Sequence, residues 1–167
     1  IEPKHATVTR DERDFFRPNW SQTAVVDGKY SIDVYLELMK SAYEGYLARS
    51  RQSYASIDHY LFHVPFPRMA EYAASALWAD GQDRKTYAKS PEFAARMQAK
   101  TEQSLTLSRD IGNIYSGSLY LALQSLVEHA TDLSGQRVVL CSYGSGASAK
   151  VFSGVVQASY RDGFRAI

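Results

Sequence analysis

The chain has 167 residues, 45% of them hydrophobic, with 19 lysines and arginines against 18 aspartates and glutamates. This composition argues against a disordered chain, and the length suffices for one buried core, so we expect a single α/β unit over residues 1–167. The formal net charge of +1 gives no electrostatic basis for nucleic acid or an anionic membrane as the main partner.

A lone cysteine, Cys141, excludes an internal disulfide. The sequence shows neither the apolar segment of a secretory signal at its start nor an apolar run of transmembrane length. Together these features favour a reducing, cytoplasmic setting. The chain opens on Ile1-Glu2-Pro3 instead of methionine, and we expect it to be a fragment, a processed piece or one subunit of a split protein.

The first 30 residues are irregular and aromatic and include an Asp27-Gly28 turn. A helix is predicted next, because apolar residues recur at the period of one helix face over residues 32–47. Ser31 stands where a side chain can cap the start of that helix, and Asp33 falls in its positive first turn.

Residues 57–63 are short and aromatic, and Pro65 follows them, which is typical of a strand that stops where proline removes a hydrogen-bond donor. A helix is predicted to resume near Pro67 and to continue to residue 77. Residues 78–90 are polar and indicate a surface connection. Pro91 can open a further helix that extends to about residue 107.

The segment 119–130 is apolar around most of a helix circumference, which predicts a buried helix. Residues 137–142 form a short apolar run of strand type that leads into Tyr143-Gly144-Ser145-Gly146. The valine-rich residues 149–157 are predicted to be its hairpin partner across that glycine turn.

Five motifs, in chain order and in register, resemble the carboxy-terminal half of 3-hydroxy-3-methylglutaryl-CoA (HMG-CoA) synthase. They are DFFRPNW at 14–20, VDGKYSIDVYL at 26–36, HVPFPRM at 63–69, GNIYSGSLYLAL at 112–123 and SYGSG at 142–146. The resemblance implies a thiolase-like fold, a layered α/β/α arrangement with a mixed sheet. In that fold two similar halves pack together and the active site forms between them.

The resemblance also implies a reaction. Acetyl-CoA acylates a cysteine, and a glutamate deprotonates the acetyl methyl. The carbanion adds to the ketone of acetoacetyl-CoA, and water then releases the product from the cysteine. The product belongs to the mevalonate pathway. No metal or redox cofactor is implied, because the substrates bring the CoA. A homodimer or a hetero-oligomer is the implied assembly.

Three residues match catalytic positions of the family. His63 matches the histidine that orients the acetoacetyl group and polarises the carbonyl under attack, since an imidazole can donate to an oxygen that gains charge. Asn113 matches an asparagine whose amide donates to a thioester or ketone oxygen. Ser145 matches the position whose backbone N–H forms an oxyanion hole. The residues alone also allow an idle histidine, a helix-capping asparagine and a plain hairpin turn.

Four further residues are candidates for substrate binding. Gly112 and Gly144 let the backbone come close to a ligand, and Tyr143 is expected to pack beside the site. Arg68 stands where the family commonly carries lysine and can meet a phosphate or the pantetheine of CoA. A solvent-facing side chain is the alternative for Arg68.

Other reactive residues lack a supporting motif. His5, His59 and His129 are expected to be surface or packing residues, and Cys141 lies in an apolar run where a thiol is buried and inert. The family's nucleophilic cysteine and its basic glutamate belong to the amino-terminal half, and no stretch of this chain matches them. The resemblance therefore implies that the chain is inactive without that half or a partner subunit.

Two alternatives remain open. A polyketide β-branching synthase performs the same aldol step on acyl carrier proteins, but the basic residue after HVPF and the GNIYSGSLY form favour the mevalonate enzyme. A non-catalytic acyl-CoA-binding or assembly module would explain the absent nucleophile, whereas the joint presence of His63, Asn113 and SYGSG opposes it.

Overall fold

A computed structural model describes residues 1–162 of the chain. In this range six strands form two sheets: β1 (His5–Thr9), β2 (Phe15–Phe16), β3 (Val25–Val26), β4 (His59–Phe62), β5 (Arg137–Gly144) and β6 (Ser148–Val155). The α-helices of the same range are α1 (Gly28–Ser50), α2 (Arg68–Trp78), α3 (Arg84–Tyr87), α4 (Pro91–Lys100), α5 (Glu102–Ile111) and α6 (Ser118–His129).

The larger sheet has the strand order β1-β6-β5-β4. Strand β4 runs parallel to β5, whereas β6 is antiparallel to both β5 and β1. The sheet is therefore mixed, as expected, and the predicted hairpin of β5 and β6 is confirmed, with Leu140 opposite Phe152. Strands β2 and β3 form a separate small hairpin.

Alternate side chains of the central strands enter two different cores, because successive residues of a strand point to opposite faces. On β4, Tyr60 and Phe62 pack in the core shared with α1 and α2, while Leu61 packs with α6 on the other face. This arrangement confirms the α/β/α layering. It also brings the carboxyl ends of the parallel strands β4 and β5 to one edge of the sheet.

Helix α1 begins earlier than the sequence predicts. Its cap is Asp27, whose carboxylate accepts hydrogen bonds from the amides of Lys29 and Tyr30, both at 3.1 Å. The expectation that Ser31 caps the helix is therefore wrong. An aspartate satisfies free amides at a helix start as well as serine does, and here it stands nearer the turn.

Two segments contain more regular structure than the sequence predicts, although residues 80–86 are largely exposed, as expected of a surface connection. The irregular first 30 residues include β1, which pairs with β6 at the far end of the chain. The polar connection 78–90 contains α3, because Asp83 accepts a hydrogen bond from the Thr86 amide and Tyr87 is buried against Phe93.

The remaining helices differ in detail from the sequence expectation. The single helix from Pro91 is broken at Thr101, whose backbone leaves helical geometry at φ −136°, so α4 and α5 are separate. Helix α6 buries its inner face but leaves Tyr120 70% exposed. The apolar circumference of α6 is therefore only partly covered within residues 1–162.

Candidate active site

A cavity of about 480 Å³ opens at the sheet edge where β4 and β5 end. Its lining includes five of the predicted site residues: His63, Asn113, Tyr143, Gly144 and Ser145. The apolar part of the wall consists of Phe15, Val26, Pro65 and Met69. Two loops and the end of a strand, far apart in sequence, thus bring the catalytic candidates to one pocket.

The backbone of His63 is held on both sides. Its amide donates a 2.8 Å hydrogen bond to the carbonyl of Cys141, which extends the parallel pairing one residue beyond β4. Its carbonyl accepts a 2.9 Å hydrogen bond from the hydroxyl of the buried Tyr35. The buried Val64 and the following Pro65 then turn the chain away, so the imidazole is fixed at the strand end.

The imidazole of His63 lines the cavity and is half-buried. Its ring centroid lies 6.5 Å from that of Tyr143, and among residues 1–162 no side chain or backbone group hydrogen-bonds to it. Burial lowers its pKa below the ordinary value, so the neutral ring is favoured near pH 7. A neutral imidazole can donate one hydrogen bond and accept another.

Asn113 is held by its side-chain oxygen. Oδ1 accepts hydrogen bonds from the amide of Tyr115 at 2.8 Å and from the hydroxyl of Ser118 at 3.1 Å. Asn113 does not cap α6, whose N-cap position is Gly117; its side-chain oxygen instead closes a local turn ahead of that helix. The side-chain nitrogen is not engaged by the described residues, so a donor remains for a ligand.

The loop around Asn113 has unusual backbone conformations. Gly112 ends α5 at φ +81° and ψ −156°, a combination that only glycine adopts readily. Tyr115 has φ +55°, which costs a non-glycine residue about 1–2 kcal/mol. The two hydrogen bonds to Asn113 help offset that cost. Gly112 itself does not line the cavity, so its closeness to substrate stays a prediction.

The glycine turn that carries Ser145 is anchored by Asp14, a fully buried carboxylate. Oδ2 of Asp14 accepts a 2.7 Å hydrogen bond from the hydroxyl of Tyr143, and Oδ1 accepts one of 2.9 Å from the amide of Gly146. The backbones of Arg10 and Ala147 also exchange two hydrogen bonds. Segment 10–14 therefore fixes the turn, while Ser145 stays exposed at the cavity.

Two opposing effects act on Asp14. Burial by itself would raise the pKa of this carboxyl group, because it penalises the charged form. Hydrogen bonds from Tyr143, the Gly146 amide and Ser145 favour the charged form, and together they outweigh burial, so the pKa lies below its ordinary value. Asp14 is a carboxylate near neutral pH and can hold its donors at that pH.

Arg68 lies on a different cavity of about 460 Å³, which α2, α4 and α5 border. Its guanidinium lies over the ring of Tyr72, 5.7 Å from the centroid, and Arg109, which also lines this cavity, is paired with Glu102. The two cavities are neighbours along residues 65–69. A contact between Arg68 and CoA therefore stays a prediction.

The residues that were set aside do lie elsewhere. His5 is exposed on β1, Nε2 of His59 is 2.6 Å from the side-chain oxygen of Gln136, and Nδ1 of His129 is 2.8 Å from the Ser125 carbonyl oxygen. The interpretation of Cys141 as a buried thiol is confirmed, and burial raises its pKa. A raised pKa disfavours the reactive thiolate.

Residues 1–162 contain neither a bilayer-spanning helix nor a cluster of metal ligands. No helix in this part of the chain is both long enough and apolar enough to span a bilayer. The same residues hold no group of three or more histidine, cysteine, aspartate or glutamate side chains arranged for a metal ion.

A family model described as "Hydroxymethylglutaryl-coenzyme A synthase C terminal" matches residues 4–97 and 80–165. The chain belongs to the HMG-CoA synthase family. The resemblance that rested on five motifs is thereby confirmed, and the match is to the carboxy-terminal part.

Curated HMG-CoA synthases align along nearly the whole chain. The enzyme of Enterococcus faecalis is 35% identical over 163 residues, which is 97% of this chain and 40% of that protein. The enzyme of Haloferax volcanii is 28% identical, over 94% of this chain and 44% of its own length. The chain thus spans less than half the length of these relatives.

Solved HMG-CoA synthases share the fold, which confirms the thiolase-like architecture. A structure of MvaS in complex with 3-hydroxy-3-methylglutaryl coenzyme A matches with a TM-score of 0.80 and 36% identity, over 93% of this chain and 42% of that one. An HMG-CoA synthase complexed with CoA matches with a TM-score of 0.81 and 32% identity, over 98% of this chain and 41% of that one. The HMG synthase of the curacin pathway, in complex with an acetyl donor-ACP, matches with a TM-score of 0.84 and 28% identity. The match covers 95% of this chain and 38% of that one.

The sequence alone did not single out three residues that shape the site of this HMG-CoA synthase chain. They are Tyr35, Asp14 and Ser118. Asp14 carried a detectable signal, since it is an acidic residue directly before two aromatic residues in the first quoted motif. Tyr35 carried none, because the apolar periodicity of its helix explains its presence, and Ser118 carried none, because it stands directly before the predicted helix 119–130.

Proposed function

We propose that this chain supplies the acceptor-binding half of an HMG-CoA synthase active site. The whole enzyme would condense acetyl-CoA with acetoacetyl-CoA and water to give HMG-CoA and CoA for the mevalonate pathway. The observation that carries the proposal is the convergence of His63, Asn113 and the Ser145 turn on one cavity at the ends of β4 and β5. A dimeric assembly and a cytoplasmic location stay predictions from the sequence.

Each of the three groups has a defined chemical capacity. The imidazole of His63 and the side-chain nitrogen of Asn113 are donors for carbonyl oxygens of acetoacetyl-CoA, and donation strengthens as an oxygen gains charge under attack. The exposed turn at Ser145 offers a backbone amide to a thioester oxygen. Because Asp14 holds that turn from the buried side, the amide is oriented before the ligand arrives.

The nucleophile and the base must come from elsewhere under this proposal. Cys141 is buried beneath the site, and burial raises the pKa of its thiol, so it is unsuited to attack a thioester. The cavity is also open on the side of Asn113, Tyr115 and Ser145. The ring of Tyr115 is 71% exposed there, which supports coverage by the amino-terminal half or by a partner subunit carrying cysteine and glutamate.

A carrier-protein substrate is the second candidate. It is favoured by the likeness to the curacin-pathway HMG synthase, whose structure contains an acyl carrier protein. Comparing turnover on acetoacetyl-CoA with turnover on an acetoacetyl carrier protein decides between the two. A strong preference for the carrier protein would overturn the mevalonate assignment.

The experiment that tests the proposal begins with native mass spectrometry of the purified material, to find a co-purifying chain with a reactive cysteine. The assembled protein is then assayed for acetoacetyl-CoA-dependent release of CoA from acetyl-CoA. We expect His63→Ala to lower turnover by 10²-fold or more, about the value of a positioned acid or donor. His59→Ala is the matched control, since His59 is also half-buried and begins the same strand. Equal activity of both variants would refute a catalytic role for His63.

A further inference from the structure

The loop between α5 and α6 is tied together by one buried hydroxyl. Oγ of Ser118 accepts a 3.1 Å hydrogen bond from the amide of Ile114, and it donates one of 3.1 Å to Oδ1 of Asn113. Ser118 is 1% exposed, whereas Asn113 is exposed. A rigid buried group thus holds an exposed side chain that lines the cavity.

The direction of these hydrogen bonds fixes the orientation of the Asn113 amide. The Tyr115 backbone N–H can only donate, so the Asn113 atom 2.8 Å from it must be the oxygen. The Ile114 N–H likewise only donates, which leaves the proton of the Ser118 hydroxyl for the same Asn113 oxygen. With its oxygen doubly occupied, the amide has its NH₂ group left over.

Ser118 does not act as an ordinary helix cap. It is the first residue of α6, and its hydroxyl accepts from Ile114, which precedes the helix, instead of from an amide of the helix itself. The hydroxyl therefore serves the loop, whose strained Tyr115 backbone lies between Ile114 and Ser118.

We propose that Ser118 is a positioning residue that locks the Asn113 amide with its NH₂ group presented to the cavity, as a donor for the carbonyl oxygen of an acyl thioester. The proposal deepens the function proposed above and rests on it for the identity of the ligand. The orientation of the amide does not depend on that function. Ser118 reaches the substrate only through Asn113.

The first test measures that orientation in the 167-residue chain, without substrate. The side-chain NH₂ signals of Asn113 are assigned in a ¹⁵N–¹H spectrum by their loss in Asn113→Asp. We expect two separated signals with a heteronuclear NOE typical of rigid groups. In Ser118→Ala they should move toward the shifts of a free asparagine and lose the NOE, whereas Ser118→Thr should retain them.

Ser125→Ala is the matched control. Ser125 is a buried serine of the same helix, and its hydroxyl bonds the Gln103 carbonyl and the Leu107 amide, far from Asn113. This variant should leave the Asn113 signals unchanged. Unchanged signals in Ser118→Ala would overturn the proposal. If Ser118→Ala does not fold, Ser118→Cys keeps the size, weakens the donor and is held to the same criterion.

The second test uses the assembled enzyme. We expect Ser118→Ala to lower kcat/KM for the acyl acceptor about tenfold, the loss that corresponds to one hydrogen bond, with Ser125→Ala close to wild type. Equal effects of the two variants would reduce Ser118 to a structural role and overturn the proposal. Altered Asn113 signals in a protein without condensing activity would instead uphold the positioning and refute the proposed function.

Discussion

The carboxylate of Asp14 accepts a 2.7 Å hydrogen bond from the hydroxyl of Tyr143, 129 residues further along the chain. The same carboxylate holds the amide of Gly146, so one buried charge joins the first motif to the glycine turn at the cavity. Tyr143 in turn contacts the ring of Tyr35, with centroids 4.8 Å apart, and Tyr35 holds the backbone of His63. A continuous series of contacts therefore links the glycine turn to His63.

Replacing Asp14 with asparagine should destabilise the chain by about 2–3 kcal/mol. Hydrogen bonds to a charged group contribute about 1.5–3 kcal/mol, and an amide can present an acceptor to only one of the two donors. Urea unfolding of Asp14→Asn against wild type measures the difference. Asp11→Asn, at an exposed position in the same segment, is the control and should change stability by less than about 0.5 kcal/mol. Similar effects of both variants would contradict an anchoring role for Asp14.

Acidification should reveal the burial of His63. Because burial lowers its pKa below the ordinary 6.5, the unfolded chain binds the proton at a higher pH than the native chain. Titration of His63 should therefore not change the free energy of unfolding above about pH 7. The free energy of unfolding should fall as the pH drops through the pKa of His63 in the unfolded chain toward its lower pKa in the native chain.

A His63→Gln variant isolates that contribution. Between about pH 7 and pH 5, its free energy of unfolding should decline less steeply than that of wild type, as measured by urea titration at each pH. His59→Gln provides a comparison, since burial lowers the pKa of His59 as well, although its bond to Gln136 opposes the shift. A slope in His63→Gln identical to that of wild type would show that the imidazole is solvated.

Cys141 should be unreactive in the native chain. It is fully buried, its pKa is raised, and it is the single cysteine of the sequence, so a thiol reagent reports on this position alone. We expect no labelling of the native protein within an hour and complete labelling in concentrated urea. Native labelling at the rate of an exposed thiol would reopen the question of Cys141 as a nucleophile.

Removing the cap of α1 should have a measurable cost. Asp27→Ala deprives the amides of Lys29 and Tyr30 of their acceptor and should lower stability by about 1 kcal/mol. Ser31→Ala changes a residue inside the helix and should lower stability much less. A larger loss for Ser31→Ala in thermal unfolding would restore the sequence-based assignment of the cap.

Local patterns in the sequence predicted those parts of the fold that local interactions determine. The periodic apolar residues of α1, the proline after β4 and the glycine turn between β5 and β6 each act within a few residues of their effect. The motifs carrying His63, Asn113 and Ser145 were also recognisable from local sequence, and all three residues line one cavity. Their chemical roles stay predictions.

Long-range contacts could not be predicted in this way. Strand β1 has a single fully buried side chain, Ala6, and exists because β6 pairs with it, from Thr9 opposite Ser148 to His5 opposite Phe152. The role of Asp14 depends on Tyr143, which no spacing rule connects to it. Arg68 borders a cavity that residues of α2, α4 and α5 line together. The sequence of α2 alone could not predict which cavity Arg68 borders.

The strand order has a consequence for synthesis on the ribosome. In the order β1-β6-β5-β4, each of the three pairings involves β5 or β6, which follow the other strands within residues 1–162. Until translation passes residue 137, β1 and β4 have no partner in this sheet among the described residues, although helices α1 to α6 have already been synthesised. Within this four-stranded sheet, β1 and β4 must therefore wait unpaired, and the sheet can form only when β5 and β6 have emerged.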